Sequence, residues 1–132
     1  MIGVDTNLLV RYIVRDDAAQ ARVATRVLEG KCTTQDPGFV SIIVLVELAW
    51  VLGRGYGYDK PVIANVLSKL LTTAELKVED AALVANALRV FQSSNADFAD
   101  CLIAERNLNH GCDATLTFDR KAAQVPGFSL AT

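Results

Sequence analysis

Several features that would place a chain in a familiar class are missing from these 132 residues. The three cysteines, Cys32, Cys101 and Cys112, form no C-x-x-C pair. An odd number at unrelated spacings predicts reduced thiols in a cytoplasmic protein, not a disulfide framework or a zinc site. No hydrophobic run approaches the ~20 residues of a membrane span, and no basic segment precedes the first apolar residues, as a secretion signal would require. We therefore expect a cytoplasmic protein that does not enter a membrane.

The chain also lacks a strong excess of charge of either sign. Thirteen basic and fifteen acidic residues give a net charge of -2, so a broad basic surface for nucleic acid is not evident. Hydrophobic residues make up 52% of the chain and charged residues 21%, which predicts a folded core rather than disorder. The mean hydropathy of +0.28 favours either a fully covered parallel sheet or apolar surface reserved for a partner. The length, with no repeat or linker, predicts one domain over residues 1–132.

Short apolar strands alternate with longer segments of helical periodicity. Strands are expected at 2–5, 39–40, 76–78, 114–118 and 128–130. Helices are expected at 6–13, 16–30, 42–52, 59–71, 79–92 and 97–109, with a short piece from 120. Gly30 should end one of these helices, Gly53, Gly55 and Gly57 should break another, and Asn95 should cap the one at 97–109. This alternation predicts an α/β fold with a central, mostly parallel sheet of about five short strands and helices on both faces.

Five acidic residues stand within apolar segments of the sequence: Asp5, Glu47, Asp97, Asp100 and Asp119. A carboxylate surrounded by aliphatic side chains is destabilised by desolvation unless a cation compensates it, and few basic residues fall within these segments. Each acid is also predicted at a strand end or an early helical turn, so all five should converge on the carboxyl edge of the sheet, where α/β folds bind ligands. Oxygen ligands without His or Cys suit Mg²⁺ or Mn²⁺ better than zinc.

Four segments, in order, resemble the acidic motifs of PIN-domain ribonucleases: Asp5-Thr-Asn7, Val46-Glu-Leu48, Ala96-Asp-Phe-Ala-Asp-Cys-Leu-Ile-Ala104 and Thr117-Phe-Asp119. Their order and context are most similar to VapC-type toxins of prokaryotic toxin–antitoxin pairs, over essentially the whole chain. The resemblance implies a single PIN domain and Mg²⁺- or Mn²⁺-dependent hydrolysis of RNA, with transfer RNA a possible substrate. It also implies inhibition by a cognate VapB-like antitoxin and assembly as a homodimer.

The resemblance also implies roles for individual residues. The catalytic acids would be Asp5, Glu47, Asp100 and Asp119, with Asp97 as a further candidate metal ligand. Candidates to orient these carboxylates, or to bond metal-bound water, are Thr6, Asn7 and Thr117. Candidates to hold RNA phosphates are Arg15, Arg120 and Lys121.

Each of these acids also has a purely structural interpretation. Asp5 and Asp119 could cap the helices that follow them, and Asp97 with Asp100 could favour a helix dipole. Glu47 is harder to explain in this way, because it stands in the middle of an apolar helix. Two other residues have structural interpretations by default: Trp50 as part of the core or a dimer interface, and His110 as a helix-end contact.

Two other functions stay open from the sequence. A non-catalytic interaction domain could keep the fold without binding metal. A phosphoaspartyl enzyme or receiver could use Asp5 as the nucleophile or phosphate acceptor. The phosphatase pattern, however, requires a second Asp two residues later, where Asn7 stands. Only Asp119-Arg-Lys121 resembles the receiver pattern.

Overall fold

Helices and strands alternate along the chain, as the sequence predicts, in a computed structural model that describes residues 1–132. The α-helices are α1 Thr6–Val14, α2 Ala18–Arg26, α3 Ile42–Trp50, α4 Lys60–Thr72, α5 Ala81–Ser93 and α6 Phe98–Asn109. The strands are β1 Ile2–Gly3, β2 Gly38–Val40, β3 Leu76–Val78, β4 Thr115–Thr117 and β5 Phe128–Leu130. None of the helices combines the length and the apolar character that crossing a membrane requires. The chain divides into two units, residues 1–81 and 82–132.

The first unit is built on three parallel strands in the order β1-β2-β3. Ile2 pairs with Gly38, and Gly38 in turn pairs with Leu76, so β2 is the central strand. A Cβ atom at Gly38 would lie 2.8 Å from the Cys32 sulfur and 3.0 Å from Val4, so only glycine fits there without displacing neighbours. The largest fully buried side chains of this unit are Leu9, Val40, Leu45, Leu48, Leu52 and Leu67.

Three helices of this unit begin at residues whose side chains cap them. The side chains of Asp17, Ser41 and Asp59 accept hydrogen bonds from the backbone N–H three residues later. Helices α2 and α3 continue as π-helical turns over Val27–Lys31 and Val51–Gly55. The first turn runs one residue past the predicted end at Gly30, and the second ends within the predicted break at Gly53, Gly55 and Gly57, the last of which has a φ of +70°.

The second unit contains α6, most of α5, and a ladder in which β4 pairs in parallel with β5. The N-cap residue of helix α6 is Asp97, not the predicted Asn95. Ala96, directly before this N-cap residue, is buried. Phe91 and Phe98 pack edge to face with ring centroids 5.7 Å apart. Gly127, at a φ of +97°, makes the turn before β5.

The predicted α/β class and the parallel pairing of the strands are confirmed. The five strands form two ladders, one of three strands and one of two. Three free thiols, at Cys32, Cys101 and Cys112, agree with the prediction that no disulfide framework is present.

Candidate active site

Most of the candidate acids are exposed, although their sequence neighbours are apolar. Asp5, Glu47, Asp97 and Asp119 are exposed, and only Asp100 is half-buried. The expectation that burial makes all five charges costly is therefore wrong for four of them. In α3 the reason is helical periodicity: Leu45 and Leu48 point into the core, whereas Glu47 shares the outer face with residues 43 and 50.

A hydrogen bond between two helices fixes the carboxylate of Glu47 in the first unit. Thr6 is the one buried polar residue of the chain, only 6% exposed. Its hydroxyl donates to Glu47 Oε1 at 2.7 Å, across 41 positions of sequence. Thr6 opens α1 directly after Asp5, so the same turn that places Asp5 also orients Glu47.

Asp5 and Asp97 occupy N-cap positions without acting as side-chain caps. Both have the extended backbone conformation of an N-cap residue, yet neither carboxylate accepts a hydrogen bond from its helix. In the same chain Asp17 and Asp59 do accept such bonds, at 3.0 Å and 3.4 Å. The capping interpretation is therefore wrong for Asp5 as a side-chain role, and neither carboxylate is used in holding its helix.

Three carboxylates of the second unit influence one another. Burial raises the pKa of Asp100 above its ordinary value of 3.8, and the negative charges of Asp97 and Asp119 raise it further. Lys121 acts in the opposite direction and lowers that pKa. Asp100, one turn into α6, thus lies in a region of negative potential that a cation would relieve.

Asp119 has a structural role as well. Its Oδ1 accepts hydrogen bonds from the backbone N–H groups of Lys121, at 2.9 Å, and Ala122, at 3.4 Å. The hydroxyl oxygen of Thr117 accepts one from the N–H of Asp119 at 3.0 Å. The short 3-10 helix Ala122–Gln124 has Lys121 as its N-cap residue and no side-chain cap, so the capping interpretation is wrong for Asp119. Thr117 and Asp119 instead shape the turn that follows β4.

The candidate residues form two sets, one in each unit: Asp5, Thr6 and Glu47 in the first, and Asp97, Asp100, Asp119 and Lys121 in the second. The structure contains no group of three or more His, Cys, Asp or Glu side chains arranged to hold a metal ion. The donors themselves are all carboxylate oxygens, which suit Mg²⁺ or Mn²⁺. The fit to such an ion is thus one of donor chemistry, and the assembly of both sets into one centre stays a prediction.

The other predicted residues are placed as follows. Asn7 and Arg120 are exposed. Arg15 donates to the carbonyl oxygen of Tyr12 and to the hydroxyl of Thr25. His110 is the C-cap residue of α6, the helix-end position predicted for it.

Two exposed aromatic side chains stand beside candidate acids in the sequence. Trp50, three residues after Glu47, is 66% exposed, so its interpretation as a core residue is wrong. Phe118, directly before Asp119, is 89% exposed and is not among the candidates that the sequence motifs identify. The sequence carries no signal for it, because the alternation Thr115-Leu-Thr-Phe118 would predict that Leu116, which is 69% exposed, and Phe118 face the core.

Comparison with known proteins supplies the family. A VapC ribonuclease of Aquifex aeolicus (strain VF5) is 25% identical over 83 residues, which cover 63% of this chain. The aligned part spans 62% of that relative's length. The sequence model of the PIN domain matches residues 2–127, and therefore both units of the structure. The chain belongs to the PIN domain family.

Proposed function

We propose that this protein is an endoribonuclease that depends on Mg²⁺ or Mn²⁺ and hydrolyses RNA phosphodiester bonds. The observation that carries the proposal is that Asp97 and Asp100 lie within one turn at the start of α6, with Asp119 close enough to act on Asp100 electrostatically. Repulsion among carboxylates lowers the stability of the folded protein, and a divalent cation that binds between them removes this repulsion. Membership of the PIN domain family and the similarity to a VapC ribonuclease support the same conclusion.

Asp5, Glu47, Asp97, Asp100 and Asp119 would hold the cation in this proposal. When bound, the cation supplies a water of lowered pKa and neutralises charge on the phosphate. Thr6 keeps the Glu47 carboxylate in one orientation through its 2.7 Å hydrogen bond. The backbone N–H groups of Lys121 and Ala122 do the same for the carboxylate of Asp119, while Thr117 holds the backbone N–H of that residue. Asn7 is proposed to bond to water near Asp5.

Groups near the acids could hold the RNA. Exposed aromatic rings stack on bases with little sequence preference, and Phe118 is suitably exposed. Lys121 lowers the pKa of Asp100, so it lies near this candidate acid, and we propose that its ammonium binds a phosphate of the RNA. Arg120 is exposed in the same turn. Because unpaired bases stack most readily, single-stranded loops, including those of transfer RNA, are the proposed targets.

The test is cleavage of total RNA and transfer RNA by the purified protein with Mg²⁺, Mn²⁺ or EDTA. We expect discrete fragments that require metal and are absent for Asp100→Asn. The matched control is Asp113→Asn, which removes an equal charge from an exposed position of the same unit. Cleavage by Asp100→Asn at the unaltered rate would contradict the site. Absence of both cleavage and calorimetric metal binding in the unaltered protein would favour the non-catalytic interaction domain instead.

We further propose that the protein is the toxin of a VapBC-like pair, acting in the cytoplasm as a homodimer with a VapB-like antitoxin. Ile43 and Trp50, 74% and 66% exposed on one face of α3, supply apolar surface for the dimer. A groove of about 340 Å³ lies beside α1 and α4 and is lined by Leu9, Ile13, Val66 and other residues. This groove supplies a binding site for an antitoxin helix.

These assemblies are tested separately from catalysis. Light scattering should give twice the chain mass for the unaltered protein and the single mass for Ile43→Lys. Val66→Lys, in the groove, should weaken antitoxin binding without changing that mass. A monomer at all concentrations in the unaltered protein would contradict the dimer.

A further inference from the structure

One face of α2 carries positive charge with no acidic partner. Arg22 and Arg26, one helical turn apart, are exposed and form no ion pair. Together with Arg15 they border an open depression of about 570 Å³, whose floor includes Ala19 and Val23. Val23 is 47% exposed, so the floor is apolar and accessible. We call this surface, formed by Arg15, Arg22 and Arg26 around Val23, the arginine face.

The acids nearest in sequence are all engaged elsewhere. Asp16 accepts hydrogen bonds from Arg11 at 2.9 Å and from the Tyr56 hydroxyl at 2.9 Å. Asp17 caps α2 through the N–H of Gln20. Glu29 accepts a 2.5 Å hydrogen bond from the Tyr12 hydroxyl. Of these three acids only Asp16 is paired with a cation, and none of them forms an ion pair with Arg22 or Arg26.

Arg15 is held in place at a cost in backbone energy. It is the C-cap residue of α1 with a φ of +60°, a conformation that favours glycine. Its Nη1 group donates to Thr25 Oγ1 at 3.1 Å, which fixes the guanidinium against α2. The Thr25 hydroxyl donates in turn to the carbonyl oxygen of Ala21 at 2.9 Å. Both hydrogen bonds of Arg15 use Nη1, so its other N–H groups stay available to a ligand.

We propose that the arginine face binds the phosphate backbone of the RNA substrate outside the cleavage site. This inference rests on the proposed function. Guanidinium groups match phosphate oxygens in charge and geometry, and contacts to phosphate set register without reading sequence. The apolar floor around Val23 accepts the ribose or a base edge. Arg22 and Arg26 thus join Arg15 as substrate-binding residues.

The arginine face is within reach of an RNA strand that also passes Asp5. Asp5 precedes α1 and Arg15 follows it, so the two lie at opposite ends of one helix. Ten residues at the helical rise separate them by about 15 Å. At ~3.4 Å per nucleotide along a stacked strand, this is roughly four nucleotides. RNA held at the arginine face would therefore present a bond several nucleotides away to the candidate acids of the first unit.

The decisive variant is the double change R22Q/R26Q. It leaves Arg15 and its contacts to Thr25 intact. The matched control is R54Q/R89Q, which removes the same charge from two other exposed positions. RNA binding is measured with a fluorescent single strand of about 12 nucleotides, a length within the usual site sizes for single strands. The binding buffer contains EDTA, so that cleavage does not interfere, and several salt concentrations are compared. Circular dichroism and thermal melting confirm that each variant is folded.

Each phosphate contact on a single strand contributes ~0.7 to the slope of log K against log salt. Loss of two contacts therefore removes about 1.4 from log K at roughly 0.1 M salt relative to 1 M, so we expect R22Q/R26Q to reduce RNA affinity about 25-fold. The slope itself should fall by about 1.4. In cleavage assays the loss should appear mainly as a raised KM. The control should bind RNA within about two-fold of the unaltered protein.

The outcomes separate this inference from the proposed function. If the unaltered protein cleaves RNA and R22Q/R26Q binds it with unchanged affinity and slope, the arginine face is not a phosphate site and only this inference fails. It also fails if the control loses as much affinity, or if R22Q/R26Q loses affinity only for an acidic antitoxin. If the unaltered protein neither binds nor cleaves RNA, the proposed function fails as well.

Discussion

Replacement of Thr6 by valine tests whether the buried hydroxyl serves the metal site or merely the fold. The change keeps the shape of the side chain and removes its hydrogen bond to Glu47. A hydrogen bond to a charged acceptor contributes about 1.5–3 kcal/mol, and the lower end applies here because Glu47 is exposed and water can replace the hydroxyl. The additional buried methyl group contributes about 0.8 kcal/mol in the opposite sense. The net loss of stability should be less than about 1 kcal/mol.

The effect on metal binding should be much larger than the effect on stability. Without the hydroxyl, the exposed carboxylate of Glu47 samples several orientations, only some of which suit a cation. Loss of such an orienting partner typically costs about 10–100-fold in metal affinity. Thr6→Ser is the matched control, because it keeps the donor and loses only the methyl group. We expect it to bind metal nearly as the unaltered protein does.

The assay is calorimetric titration with Mn²⁺, accompanied by thermal melting with and without the ion. Thr6→Val alone should lower Tm by no more than about 3–5 °C. In saturating Mn²⁺ it should gain less thermal stability than the unaltered protein, because stabilisation by a ligand follows its affinity. Equal Mn²⁺ affinity for Thr6→Val and the unaltered protein would refute the reasoning, as would equal losses in the valine and serine variants.

Three further predictions concern stability. Asp59→Ala should cost about 0.5–2 kcal/mol in urea unfolding because it removes a side-chain cap, whereas Asp5→Ala and Asp97→Ala should cost little; equal losses would contradict the orientations described. Since the folded protein raises the pKa of Asp100, the metal-free protein should lose stability as pH rises through that pKa, and Asp100→Asn should flatten this dependence. Gly38→Ala should cost about 1–3 kcal/mol by overpacking, measured by the urea midpoint against Gly30→Ala, where nothing lies within 4 Å.

Secondary structure was largely predictable because its signals are local. Asp17, Ser41 and Asp59 stand directly before apolar periodic segments, and each begins a helix. The boundaries that differ from the prediction are the start of α6, at Asn95 or Asp97, and the helix end near Gly30. Asn95 and Asp97 both suit an N-cap, and the sequence does not show that residue 96 is buried. Gly30 lies within a π-helical turn, where it needs no positive φ.

The candidate acids were identifiable, but their environments were not. Apolar neighbours along the chain suggested burial for Glu47, although the outer face of α3 places it in solvent. The hydrogen bond from Thr6 joins positions 41 apart, so no local pattern reveals it. The division of the strands into ladders of three and two depends likewise on long-range pairing. The unpaired charge of Arg22 and Arg26 required knowing which acids were already engaged.

The orientation of Asp5 and Asp97 has a consequence for how this protein can change over generations. Because neither carboxylate caps its helix, substitutions there should spare the fold, and under the proposed function they would remove metal ligands. A cell that inherits such a substitution would still make an intact molecule with its other surfaces unaltered. If an antitoxin binds those surfaces, the inert copy competes with active copies for it. Under the proposed function, inactive variants of this chain would then bind antitoxin and leave less of it for the active protein.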